Sequence, residues 1–201
     1  DRFIEQIEFL KAAGWHFCRV SDLAADLEAP ERTVAITFDD GYESVYEYAF
    51  PILNKYNLRA SVFVNPAFMG QFNTWDIHLG QRFRHMDWHQ LMELKSAGWE
   101  IGSHGMTHQD ISRLSDKAGE RELIVSRQLI ERKIGNCSSV LSYPFGNVRQ
   151  HNVRTAQKLN YKFGLTMGMF NKNIALHYSI RRIGIYRLDS PVFFKLKAFA
   201  K

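Results

Sequence analysis

Short β-branched and aromatic runs alternate with amphipathic helical stretches about six times along the chain, and this alternation narrows the folds open to it. Strands are predicted over 34–38, 60–64, 99–102, 140–143, 161–166 and 180–185, with a further strand ending at Val20. Apolar residues at helical spacing predict helices over 1–13, 21–27, 44–56, 88–96, 115–134 and 150–159, and Ser190 with Pro191 opens a terminal helix. Pro51 should kink or shorten the helix over 44–56. The stretch 65–86, rich in Gly, Asn and aromatics, reads as one long loop region. Such a repeat builds an α/β protein, a parallel sheet covered by helices, either closed as a barrel or open and doubly wound. No repeat, linker or composition break divides the chain, so 1–201 reads as a single domain.

At 201 residues and 45% hydrophobic content the chain can bury one sizeable core. Charge is uneven: residues 1–60 hold six Lys/Arg against eleven Asp/Glu, and the remainder holds the basic excess behind the net charge of +5. No basic run is interleaved with aromatics, which argues against a nucleic-acid partner. No apolar run approaches the roughly 18 residues of a membrane span. Cys18 and Cys137 are too far apart in sequence for a CxxC redox or zinc pair, and two buried thiols are expected. The N-terminus lacks a basic-then-apolar leader, so the sequence gives no direct address. It is silent on oligomeric state.

The stretch from Val34 to Tyr42 runs a β-branched strand directly into Asp39, Asp40 and Gly41. Asp-Asp-Gly is ordinary turn and helix-start chemistry. At the carboxyl end of a strand in an α/β fold the same pair lines the mouth where ligands bind. A second stretch, Ser103-His104-Gly105-Met106-Thr107-His108, follows the strand over 99–102. Two imidazoles at this spacing are surface or capping residues, or they converge on one metal ion. With a carboxylate from another strand end they make three ligands and leave positions open, as catalytic zinc sites do. One aspartate would bind the metal and the other would take a proton from water activated by it, a centre suited to hydrolysing amides or esters.

Thr37-Phe38-Asp39-Asp40-Gly41-Tyr42 resembles the first motif of the polysaccharide deacetylases, the NodB-homology domain of carbohydrate esterase family 4. Ser103 to His108 resembles the second, and Ser142-Tyr143-Pro144-Phe145-Gly146 stands where the third belongs. The resemblance covers about 33–185 and implies a distorted (β/α) barrel. It makes Asp39 the general base, Asp40, His104 and His108 the ligands of one divalent ion, by default zinc, and the Phe145 N–H the oxyanion donor. It implies N-deacetylation of an N-acetylglucosamine polymer, with bacterial exopolysaccharide and β-1,6-linked poly-N-acetylglucosamine deacetylases the most similar group. An extracytoplasmic location follows from the resemblance alone.

Three positions depart from the pattern. Gly105 replaces a Ser or Thr that braces the second motif, Ser142 replaces an arginine that orients the base, and the late Leu-x-His acid motif has no clear match. His177 is the nearest candidate acid. Trp75, Asp76, His78, Tyr143 and Phe145 are candidate sugar contacts, whereas Trp88 and Trp99 read as core. His85 and His89 read as solvated or capping residues, His151 as a helix start, and Arg181-Arg182 as structural residues near a barrel floor. Two rival functions follow from the departures: a carbohydrate-binding scaffold with little turnover, and an O-acetyl esterase on the same centre.

Overall fold

The computed structural model describes residues 2–25, 30–75, 82–167 and 174–199. The chain opens with α1 (Arg2–Ala12), β1 (His16–Cys18) and α2 (Val20–Ala25). Val20 is therefore helical rather than the end of a strand, and the predicted end of that helix at Leu27 lies outside the described residues. The single strand expected over 34–38 divides at Ile36. Its first part, β2 (Thr33–Ala35), pairs in parallel with β1, and its second, β3 (Thr37–Phe38), pairs with β4 (Ser61–Val64). Between β3 and β4 the helix widens into a π-helical turn over Val45–Ala49 before α3 (Phe50–Lys55). Pro51 sits in the first turn of α3, where its missing N–H is no loss.

The remaining elements follow the predicted order: α4 (Trp88–Ser96), β5 (Glu100–Ser103), α5 (Asp116–Ile134), β6 (Val140–Ser142), α6 (Gln150–Lys158), β7 (Phe163–Thr166), β8 (Ile180–Arg181) and α7 (Pro191–Ala198). Local chemistry fixes several ends. Asp87 and Gln90 form a reciprocal capping box at α4, Ser115 caps α5, and Gly135 closes it with φ 85°. The last strand stops at Arg181, well short of 185.

Six strands form one all-parallel sheet in sequential order from β3 to β8, curled into a half-barrel. Leu53, Leu91, Leu94, Leu123, Ile130 and Val153 from the helices pack with Val62, Val64, Ile101 and Leu141 from the strands to form the main core. Trp99 belongs to this core, as expected. At the amino ends of the strands, buried Glu100 accepts from Ser61 Oγ (2.6 Å), Ser138 Oγ (2.5 Å) and Ser21 N (3.2 Å). Those donors satisfy the carboxylate in place. The curl has a consequence for chemistry: the carboxyl ends of the two edge strands, β3 and β8, come within hydrogen-bond reach of each other.

Candidate metal centre

The turn after β3 carries Asp39 and Asp40. Asp40 has φ 65°, a left-handed conformation that few non-glycine residues adopt. Gly41 continues the turn at φ 69°, and a Cβ there would stand 2.7 Å from Val64 Cγ1. Only glycine lets this turn lie against β4. His104 follows β5 directly, and His108 ends the next turn with φ 56°.

These segments bring Asp40, His104 and His108 together. Asp40 Oδ1 lies 3.3 Å from His108 Nε2 and 3.6 Å from His104 Nε2. The three ligand atoms all fall within 4.8 Å of one another, so the group could hold a metal ion. The donor set suits that task. His104 Nδ1 donates to the Ser142 carbonyl at 2.9 Å, which orients the ring and leaves Nε2 facing Asp40. Burial, reinforced by His104 and His85 and opposed by Asp39, brings the His108 imidazole down to about 3, so it is neutral near pH 7.

Asp39 is not part of the triad but stands beside it, with Oδ2 3.9 Å from His104 Nε2. Arg182, the residue after β8, grips it bidentately, Nη1 to Oδ1 at 2.8 Å and Nη2 to Oδ2 at 2.6 Å. Ser142 Oγ donates to Asp39 Oδ1 at 3.1 Å and accepts from Arg182 Nη2 at 3.0 Å. Burial presses Asp39 upward, but the electrostatic pull of His104 and Arg182 and the bonds from Arg182 and Ser142 outweigh it and hold the carboxyl at about 2. The arginine expected at position 142 is thus replaced from elsewhere in the chain. Arg182 lies at the mouth of the sheet, not at its floor. Its position at the end of the last strand was the available signal, since strand ends on that side converge.

His85 is a second correction. It is fully buried, not solvated, and its Nδ1–H donates to the Asp40 carbonyl at 2.7 Å, tethering the left-handed residue. Its ring lies against Tyr42, Phe68 and Trp75. His89 is exposed, as expected.

Aromatic residues wall the other side. Trp75 and Phe145 lie against the His108 ring at centroid distances of 4.3 and 4.7 Å, tilted by 32° and 41°. Phe145 adopts φ 59° in the turn over Pro144–Gly146 and leaves 57% of its surface exposed. Tyr143 does the reverse: it is fully buried, with its ring against Gly164, and offers no face to a sugar. Side chains alternate along an extended segment, so Ser142 faces the site and Tyr143 the core. His177 is exposed on the turn over Leu176–Tyr178, its ring packed on Tyr178 at 4.5 Å. Asp76 and His78 lie outside the described residues. The Cys137 thiol is buried and the Cys18 thiol half-buried. Among the described residues, no helix is long and apolar enough to cross a membrane.

Comparison with known proteins agrees with this geometry. Residues 26–164 match the family described as polysaccharide deacetylase. YxkH of Bacillus subtilis is 28% identical over 144 residues, covering 72% of this chain and 48% of that protein. The poly-β-1,6-N-acetyl-D-glucosamine N-deacetylase of Staphylococcus epidermidis is 26% identical over 182 residues, covering 83% of this chain and 60% of that protein. This chain therefore spans about half to three fifths of the length of these relatives. The structure of the Streptococcus pyogenes deacetylase PplD superposes with a TM-score of 0.81 at 23% identity, over 98% of this chain and 85% of that one. IcaB from Ammonifex degensii gives 0.72 at 21% identity, over 82% of this chain and 74% of that one. Both share the fold.

Proposed function

Because the chain belongs to the polysaccharide deacetylase family, we propose that it removes N-acetyl groups from a polysaccharide containing N-acetylglucosamine, releasing acetate and leaving free amines. The observation that carries this reading is an ionised, doubly anchored Asp39 beside a triad able to hold a metal. A relative named as a poly-β-1,6-N-acetyl-D-glucosamine N-deacetylase supports the substrate class. Asp40, His104 and His108 would hold the ion, and zinc suits a donor set of two imidazoles and one carboxylate. A divalent ion there supplies a Lewis acid that makes water more acidic and polarises the acyl oxygen.

The chain's own residues do the rest. Asp39 takes a proton from the attacking water as the water oxygen bonds to the acyl carbon. Arg182 and Ser142 keep both oxygens of that base in place and its charge compensated. The Phe145 N–H stabilises the oxyanion, a role for a backbone donor. The C–N bond then breaks as the nitrogen gains a proton, which we assign to His177 on its exposed turn. The exposed face of Phe145, with Trp75 beyond His108, gives a sugar ring an apolar surface to rest on. In this reading residues 1–201 act as a single domain outside the cytoplasm.

Acetate release from β-1,6-linked N-acetylglucosamine oligomers by zinc-loaded protein tests the reading. Release should fall by at least about 100-fold in Asp39→Asn, with metal retained, and should vanish together with the metal in His104→Ala. Release from an acetyl ester alone would move the reaction to O-deacetylation. Metal and glycan binding without any release would favour a scaffold.

A further inference from the structure

The segment joining the two histidines has little local reason to hold its shape. It turns through left-handed conformations at Gly105 (φ 74°) and His108 (φ 56°), and position 105 has no side chain to brace it. The brace comes from a helix. Glu122 lies on the inner side of α5 and is buried, 9% exposed. Its Oε2 accepts from the backbone N–H of Met106 and of Thr107, each at 2.8 Å, and its Oε1 accepts from Thr107 Oγ1 at 2.7 Å. All three bonds come from the same turn. A Cβ at position 105 would stand 3.4 Å from Glu122 Oε2 and 3.3 Å from Pro144 Cγ, so the close approach leaves little room for a larger residue.

We infer that Glu122 is a positioning residue for the metal centre, one that fixes the turn 105–107 so that both Nε2 atoms point at Asp40 before any ion arrives. The inference rests on the metal-dependent reading above. A carboxylate with three donors on one turn has a geometric consequence beyond joining a helix to a loop. It sets the separation between residues 104 and 108, on which convergence of their rings depends. α5 is nineteen residues long and anchored in the core, so it gives that carboxylate a rigid platform.

The test is calorimetric titration of metal-free protein with Zn²⁺, with the visible spectrum of the Co²⁺ form as a second readout. Glu122→Gln preserves the shape, since its oxygen can accept both N–H groups and its amide can donate to Thr107 Oγ1. Its affinity should stay within about threefold of wild type, well inside the cost of losing one bond. Glu122→Leu removes all three bonds and should weaken binding about 10- to 100-fold, with an altered Co²⁺ spectrum. Should Glu122→Leu fail to fold, Thr107→Val removes a single bond and should weaken binding about 3- to 10-fold.

A merely structural brace would lower the melting temperature of Glu122→Leu while leaving metal affinity and spectrum unchanged, and that result overturns the inference alone. Loss in Glu122→Gln equal to that in Glu122→Leu also overturns it, because charge rather than geometry would be the cause. Absence of metal binding by the wild-type protein overturns the inference and the proposed reaction together.

Discussion

His104 and His108 offer the same atom to the same point, yet the two halves of the site hold them by different physics. The His104 half is a hydrogen-bonded chain. The imidazole donates to the Ser142 carbonyl, the Ser142 hydroxyl bonds Asp39 and Arg182, and Arg182 closes on Asp39. The His108 half is aromatic: the ring lies against Trp75 and Phe145, and its buried Nδ1 has no hydrogen-bond partner. A hydrogen bond selects a tautomer and a direction, whereas stacking fixes the plane of a ring but not its proton. In one half a hydrogen bond orients the ring, and in the other desolvation keeps it neutral near pH 7.

The sharpest way to break the polar half is Arg182→Met. It removes both bonds to Asp39 and the charge beside it, while leaving Asp40 and both imidazoles untouched. Turnover should fall about 10- to 100-fold with metal content unchanged. The direction of the pH effect follows from the same contacts. Asp39 works ionised and is held at about 2, so losing Arg182 lets its pKa rise and moves the acid limb of the rate profile to higher pH. An unchanged acid limb would mean that Arg182 is structural only. Ser142→Ala is the milder cut, because the carbonyl that orients His104 remains. It should cost about tenfold or less in turnover, the value of one hydrogen bond, with metal affinity unaltered.

The aromatic half is exposed by acid rather than by mutation. In the unfolded chain a histidine titrates near 6.5, whereas His108 in the folded protein does so at about 3. Between those values only the unfolded chain takes up the proton. The stability that His108 contributes is therefore complete above 6.5 and is lost as the pH falls toward 3. For metal-free protein the loss between pH 7 and pH 5 should be about 2 kcal/mol from this residue. Asp39 does not confuse the measurement, since its own window lies below 4. Burial also lowers the pKa of His85, which adds a term of the same sign, so the contribution of His108 is the difference between wild type and His108→Phe in urea unfolding at the two pH values. Equal pH dependence in both proteins would refute it.

The two halves also differ in how far they could be read from the sequence. The triad that could hold a metal was legible because its residues fall in two short, chemically unusual runs just after strands, Asp39-Asp40-Gly41 and His104 to His108. Main-chain order was legible too, since alternation of strand and helix leaves few topologies. Arg182 was not, because its partner is 143 residues away and meets it only when the curl of the sheet brings its two edges together. The burial of His85 is illegible for a related reason. Its neighbours Met86 and Asp87 mark a helix start, and nothing local shows that the loop folds inward and buries it. The Tyr-Pro-Phe-Gly run reads as one aromatic patch, but the left-handed turn at Phe145 (φ 59°) brings that ring to the surface while Tyr143 stays in the core. Contacts set by neighbours in the chain were readable, and those set by closure were not.

The smallest effect separates stacking from hydrogen bonding most cleanly. Trp75→Leu keeps an apolar side chain beside His108 but removes the flat face 4.3 Å from its ring. If the plane of His108 depends on that face, metal affinity should fall a few-fold, about 0.5–1 kcal/mol, the usual worth of an aromatic pair. Opening that side to water should also ease the desolvation that keeps His108 neutral, so its pKa rises from about 3 toward the ordinary range and the acid sensitivity of the metal-free protein becomes shallower. His104 provides the internal control: its orientation is set by the Ser142 carbonyl, so its Nδ1–H should keep that hydrogen bond in the Trp75 variant. Loss of that hydrogen bond together with the change at His108 would mean that the site responds as one unit and that the division into two halves has no physical basis.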